Sequence, residues 1–115
     1  MNKEEQRIAI AEACGWRDIH TFREYDGTCV IDGVYKNNPD GFRTIIPDYL
    51  NDLNAMHEAE KVLTVSQHSD YICQLYYKTM GLGKGICDWQ KLAGATAAQR
   101  AEAFLKTLNL WKEEL

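Results

Sequence analysis

The feature that most constrains this fold is an apolar stripe near the C-terminus. Ala97, Ala101, Phe104, Leu105, Leu108 and Trp111 recur at helical spacing, which places them on one face of a helix. Thr96 stands just before the stripe and Gln99 three positions later, the spacing at which two side chains satisfy each other's backbone N–H groups at a helix start. A helix with so broad an apolar face is stable only when that face is covered, so the rest of the chain must supply a surface for it.

Ile8, Ala11 and Cys14 form a second, shorter stripe, predicting a helix from Lys3 to Cys14 that Gly15 ends. Trp16 and Ile19 are expected to fold back on it, and the polar stretch through Asp26 favours no element. Thr28 to Ile31 and Val34–Tyr35 flank Asp32–Gly33, which predicts a hairpin turning at that dipeptide. Asn37 to Gly41 reads as a loop and Phe42 to Ile46 as a returning strand before Pro47. Asp48 is placed to cap a helix burying Leu53, Met56, Ala59 and Leu63. From Tyr71 to Lys78, the alternation of Tyr71, Cys73, Leu75 and Tyr77 with Ile72, Gln74, Tyr76 and Lys78 predicts a strand. A turn at Met80 to Gly85 and a short strand from Ile86 to Trp89 complete the pattern. Together these elements predict an α+β fold, a mainly antiparallel sheet of about three or four strands covered by helices.

The 115 residues fit one domain over 1–115, long enough to bury roughly 65% of the unfolded surface without disulfide staples. No apolar run approaches the ~20 residues that span a bilayer, and the N-terminus opens on charges, so a cytoplasmic setting without membrane contact is expected. Cys14, Cys29, Cys73 and Cys87 then read as reduced thiols, Cys73 among them on a buried strand face. A net charge of −4 argues against wholesale binding to a phosphate backbone. The acidic excess is concentrated in Asp48, Asp52, Glu58 and Glu60, whereas Lys78, Lys84 and Lys91 leave a local basic stretch.

Known chemistries find little support. Gly81-Leu82-Gly83-Lys84-Gly85 resembles a phosphate-cradling loop, but a Walker-type loop requires glycine where Lys78 stands and serine or threonine where Gly85 stands. His57–Glu58 begins like a zinc-protease motif, yet Lys61 occupies the place of its second histidine. No two cysteines have the spacing of a zinc knuckle, and His20, His57 and His68 lie on separate elements. Ser66 and Ser69 stand in no nucleophile context, and the helical acid pairs fit a solvated face. No catalytic residue, metal site or cofactor is therefore assigned. Tyr76, Lys78, Lys84, Trp89 and Lys91 are the candidate contact residues, aromatics interleaved with lysines as in single-strand binders.

Two segments carry a family resemblance: Ile46-Pro47-Asp48-Tyr49-Leu50-Asn51-Asp52-Leu53-Asn54-Ala55-Met56-His57-Glu58-Ala59-Glu60 and Thr96-Ala97-Ala98-Gln99-Arg100-Ala101-Glu102-Ala103-Phe104-Leu105. They resemble the phage ABA sandwich domain, a family of small phage and prophage proteins of unknown function. The resemblance implies a sheet between helical layers and a bacterial host cytoplasm, and brings no catalytic residues. The expected function is a phage accessory module that binds a protein partner or itself. A single-stranded nucleic-acid binder using Tyr76 to Lys91, or a small enzyme with a site assembled from distant residues, are the alternatives.

Overall fold

The computed structural model describes residues 1–38, 40–80 and 92–113, with Met80 by its backbone alone. Among these, four helices and a three-stranded antiparallel sheet form, the α+β architecture the sequence pattern predicts. The expected Met80 to Gly85 turn and the strand from Ile86 to Trp89 fall largely outside the described residues.

Helix α1 spans Lys3–Ala13, and the Asn2 side chain accepts a hydrogen bond from the Glu5 N–H at 2.8 Å. Glu4 and Glu5 in the first turn oppose the positive end of the helix dipole. Gly15 ends the helix with a φ of 97°, where a Cβ would lie 2.5 Å from the Lys36 side chain. The chain then reverses, and Trp16 stacks at a tilt on Tyr35 with ring centroids 5.0 Å apart.

The stretch without a clear pattern is strand β1, Arg17–Arg23, paired antiparallel with β2, Cys29–Val34. The hairpin turns at Asp26–Gly27, not at Asp32–Gly33. Gly27 has a φ of 85°, the Asp26 carboxylate accepts the Thr28 N–H at 2.9 Å, and Glu24 N–H donates to the Thr28 carbonyl at 2.8 Å. Asp32 and Gly33 instead sit inside β2 and pair with Ile45 and Thr44 of β3, Thr44–Ile45. Gly33 packs closely against its neighbours: a Cβ there would come within 3.1 Å of the Arg17 carbonyl oxygen and 3.3 Å of Ile19.

Helix α2, Leu53–Glu60, is capped by Asp52, whose carboxylate accepts the Ala55 N–H, and not by Asp48. Asp48 belongs to the preceding turn, where its carbonyl accepts the Asp52 N–H at 2.8 Å. Met56, Ala59 and Leu63 are buried as expected, but Leu53, at the first helical position, is exposed.

The expected strand from Tyr71 to Lys78 is a helix. Helix α3 covers Val65–Met80. Thr64 accepts the Gln67 N–H through its hydroxyl while the Gln67 side chain accepts the Thr64 N–H, the same reciprocal start as at Thr96 and Gln99. Tyr71 and Leu75, four residues apart, are buried, whereas Cys73 and Tyr77 of the expected strand face are exposed. Helical burial overrides the β-preference of tyrosine and isoleucine.

Helix α4, Ala97–Thr107, has the expected capping box. It ends with Asn109 at a φ of 60° and with Leu110 N–H bonded to the Leu105 carbonyl, a Schellman closure. Ala97, Ala101, Phe104 and Leu105 are buried, and Leu108 and Trp111 partly so. α4 packs against α1, α2 and α3, and Ile31 and Ile46 bring one face of the sheet into the same core.

Candidate interaction surface

Of the sequence-derived contact residues, Tyr76 and Lys78 lie on α3, the former partly buried against the core. Lys84, Trp89 and Lys91 lie outside the described residues, as do the Gly81 to Gly85 loop and Cys87. Lys78 is not an uncommitted cation. Its Nζ is 3.0 Å from a Glu102 carboxylate oxygen that also lies 3.6 Å from Lys106 Nζ, so α3 and α4 are joined by a small charge row.

Among the described residues the most heavily buried charge stands elsewhere, in a cluster that sequence spacing could not reveal because Glu60 and Arg100 lie 40 positions apart. Arg100 is 8% exposed. It donates to the Ala95 and Ala93 carbonyls at 3.2 and 3.1 Å and to Glu60 Oε1 at 3.3 Å. The same Glu60 oxygen accepts the Tyr71 hydroxyl at 2.8 Å, and His57 Nδ1 lies 3.6 Å away. Burial and the Glu60 charge push the Tyr71 phenol well above its ordinary pKa. The guanidinium, carboxylate and phenol satisfy one another, and none of them lines a described cavity. The arrangement therefore clamps α2, α3 and α4 together.

Two of the thiols are similarly unsuited to chemistry. Burial raises the Cys14 pKa, and burial together with Glu4 raises that of Cys29, disfavouring the reactive thiolate in both. Cys73 is exposed, correcting its expected burial, because its helical position points away from Tyr71 and Leu75. Cys14, Cys29 and Cys73 are all free. Among the described residues, no group of three or more His, Cys, Asp or Glu is placed to hold a metal ion, and no helix is long and apolar enough to cross a membrane.

What remains is the sheet. Register puts Phe22 opposite Val30 and His20 opposite Asp32, which in turn faces Ile45, so these five residues share the face turned away from Ile31 and Ile46. Phe22 is 48% and Ile45 70% exposed, and Arg43 reaches across to hold the Asp32 carboxylate at 2.7 Å. Tyr25, at the hairpin tip, is fully exposed. No known protein family, curated protein or solved structure matches this chain. Among the described residues β1 is also an edge, since the sheet order is β1-β2-β3 and β1 pairs on one side only. Six of its seven residues are exposed. A strand open on both faces shows no alternation in sequence, which is why neither the strand nor its surface was legible there.

Proposed function

We propose that this protein is a contact module, a phage or prophage accessory protein of the bacterial cytoplasm that acts by binding a protein partner or a second copy of itself. The observation that carries this reading is the exposed outer face of the sheet, with Phe22 on the β1 edge and Ile45 on β3 both open to solvent. A β-edge flanked by apolar side chains offers backbone hydrogen bonds for affinity and side chains for specificity, the combination by which sheets take up another chain. The resemblance of the Ile46 to Glu60 and Thr96 to Leu105 segments to the phage ABA sandwich family supplies the setting. Against a nucleic-acid role stands the pairing of Lys78 with Glu102, which neutralises the one described member of the basic stretch.

The test pairs the wild type with Ile45→Glu, which replaces a solvent-facing side chain and should leave stability within about 0.5 kcal/mol. Proteins retained by the wild type from prophage-induced cells should be lost with the variant, and single-stranded DNA should not bind even at low salt. Salt-sensitive DNA binding that Lys78→Glu abolishes, with a log–log slope of roughly 0.7 per phosphate contact, would replace this reading with the nucleic-acid one.

A further inference from the structure

We infer that the partner of the β1 edge is the β1 edge of a second copy, paired antiparallel about a two-fold axis through Phe22. This rests on the contact-module reading and assigns its surface. Two independent observations fix the register. First, the edge has a definite length. Asp18 has a φ of 52° and the ladder is irregular between Arg17 and His20, while Arg43 holds the Asp18 carbonyl from the β3 side. At the other end the Glu24 N–H still bonds to Thr28 before the turn begins. The regular edge therefore runs from His20 to Glu24, and its centre is Phe22. Full antiparallel overlap of that segment with its own copy puts Phe22 opposite Phe22.

Second, charge selects the same register. Glu24 faces β2, so His20 and Phe22 do as well, and the N–H and C=O groups of Thr21 and Arg23 point outward. Only registers that match outward residues with outward residues are possible in an antiparallel pair. Sliding one copy by a step toward the chain start sets Asp18 against Glu24, and a further step sets Arg17 against Arg23. Sliding the other way sets Arg23 against itself. With Phe22 on the axis, His20 faces Glu24 of the other copy on both sides, the two phenyl rings meet between them, and Thr21 faces Arg23. About four backbone hydrogen bonds link the copies. The pairing is isologous and joins the two outer sheet faces into one continuous surface with the Phe22 rings at its centre.

Sedimentation equilibrium of the full chain reads the outcome. The wild type should approach twice the 13.2 kDa chain mass at high concentration. Thr21→Pro removes an N–H that the β1–β2 ladder does not use, so it should return the protein to monomer while leaving the far-ultraviolet spectrum unchanged. Phe22→Cys, with C73S and C87S in the background, should form an intermolecular disulfide under mild oxidation, since the two Cα atoms would be about 4.5 Å apart in a non-hydrogen-bonded pair. A wild type that stays monomeric, with no cross-link through Cys at position 22, overturns the inference and leaves a different protein as the partner of the sheet. A dimer that survives Thr21→Pro and does not cross-link also overturns it, by placing self-association on another surface.

Discussion

Replacing Arg100 by methionine tests whether the buried cluster holds the three helices together. Methionine keeps most of the side-chain volume, so the effect is electrostatic more than cavity formation. The variant leaves Glu60 with Tyr71 as its hydrogen-bonding partner and strips the carbonyl of the buried Ala95 of its side-chain donor. Breaking a fully buried ion pair costs about 3–5 kcal/mol, but the Glu60 side chain is 16% exposed, so water can recover part of that. The unsatisfied carbonyl adds about 1–3 kcal/mol when sealed from solvent, and the two costs overlap. A net loss of about 3 kcal/mol follows, which for a chain of this size lowers the Tm by roughly 12 °C. Urea denaturation followed by tryptophan fluorescence measures it. Adding Glu60→Gln should restore about half of the loss, because the stranded charge is then gone while an acceptor for Tyr71 remains. A loss under about 1 kcal/mol, or a double variant weaker by the sum of the single effects, would show that the cluster does not clamp the helices.

Three other outcomes are expected. The Tyr49 and Tyr71 pKa values are both raised on folding, chiefly by burial, so each phenol should lower stability as pH rises above the unfolded-state value of about 10, by up to about 1.4 kcal/mol per pH unit. This adds to a decline that the raised Cys14 and Cys29 thiols begin above their own unfolded-state value of about 8.5. Denaturation curves across that range should be shallower for Tyr71→Phe, and an unchanged slope would contradict the assignment. A chromogenic thiol reagent should label Cys73 at once in the native protein and Cys14 only on unfolding; equal rates would place Cys14 at the surface. Phe104→Ala, at a fully buried site, should cost about 3–5 kcal/mol, and an unshifted melting curve would mean that the α4 stripe does not face the core.

Where local chemistry alone decides an element, the sequence was sufficient. The capping box at Thr96 and Gln99, the stripe through Phe104 and the stop at Gly15 all stand where the pattern puts them. The strand expected at Tyr71 to Lys78 failed because a short run rich in large apolar residues fits both periods. Tyr71 and Leu75 satisfy a two-residue repeat and a four-residue one alike. The deciding signal lay upstream, in the Thr64 and Gln67 pair that repeats the spacing of Thr96 and Gln99. The hairpin was misplaced for a related reason. The chain carries three Asp–Gly dipeptides, and only packing distinguishes the one that turns the hairpin, at Gly27, from the one inside β2, pressed between Arg17, Ile19 and Ile46. The Glu60 and Arg100 contact and the outer sheet face depend on tertiary register, which no local pattern encodes.

The two edges of the sheet are unequal, and that inequality governs what the protein does when it is crowded. β1 presents a five-residue regular edge bounded by a kink at one end and a turn at the other, whereas β3 contributes only two residues to the ladder. A strand that short is a poor template for a neighbour. Growth of the sheet by edge addition therefore stops once β1 is occupied, so concentrated protein should give a closed species and not fibres.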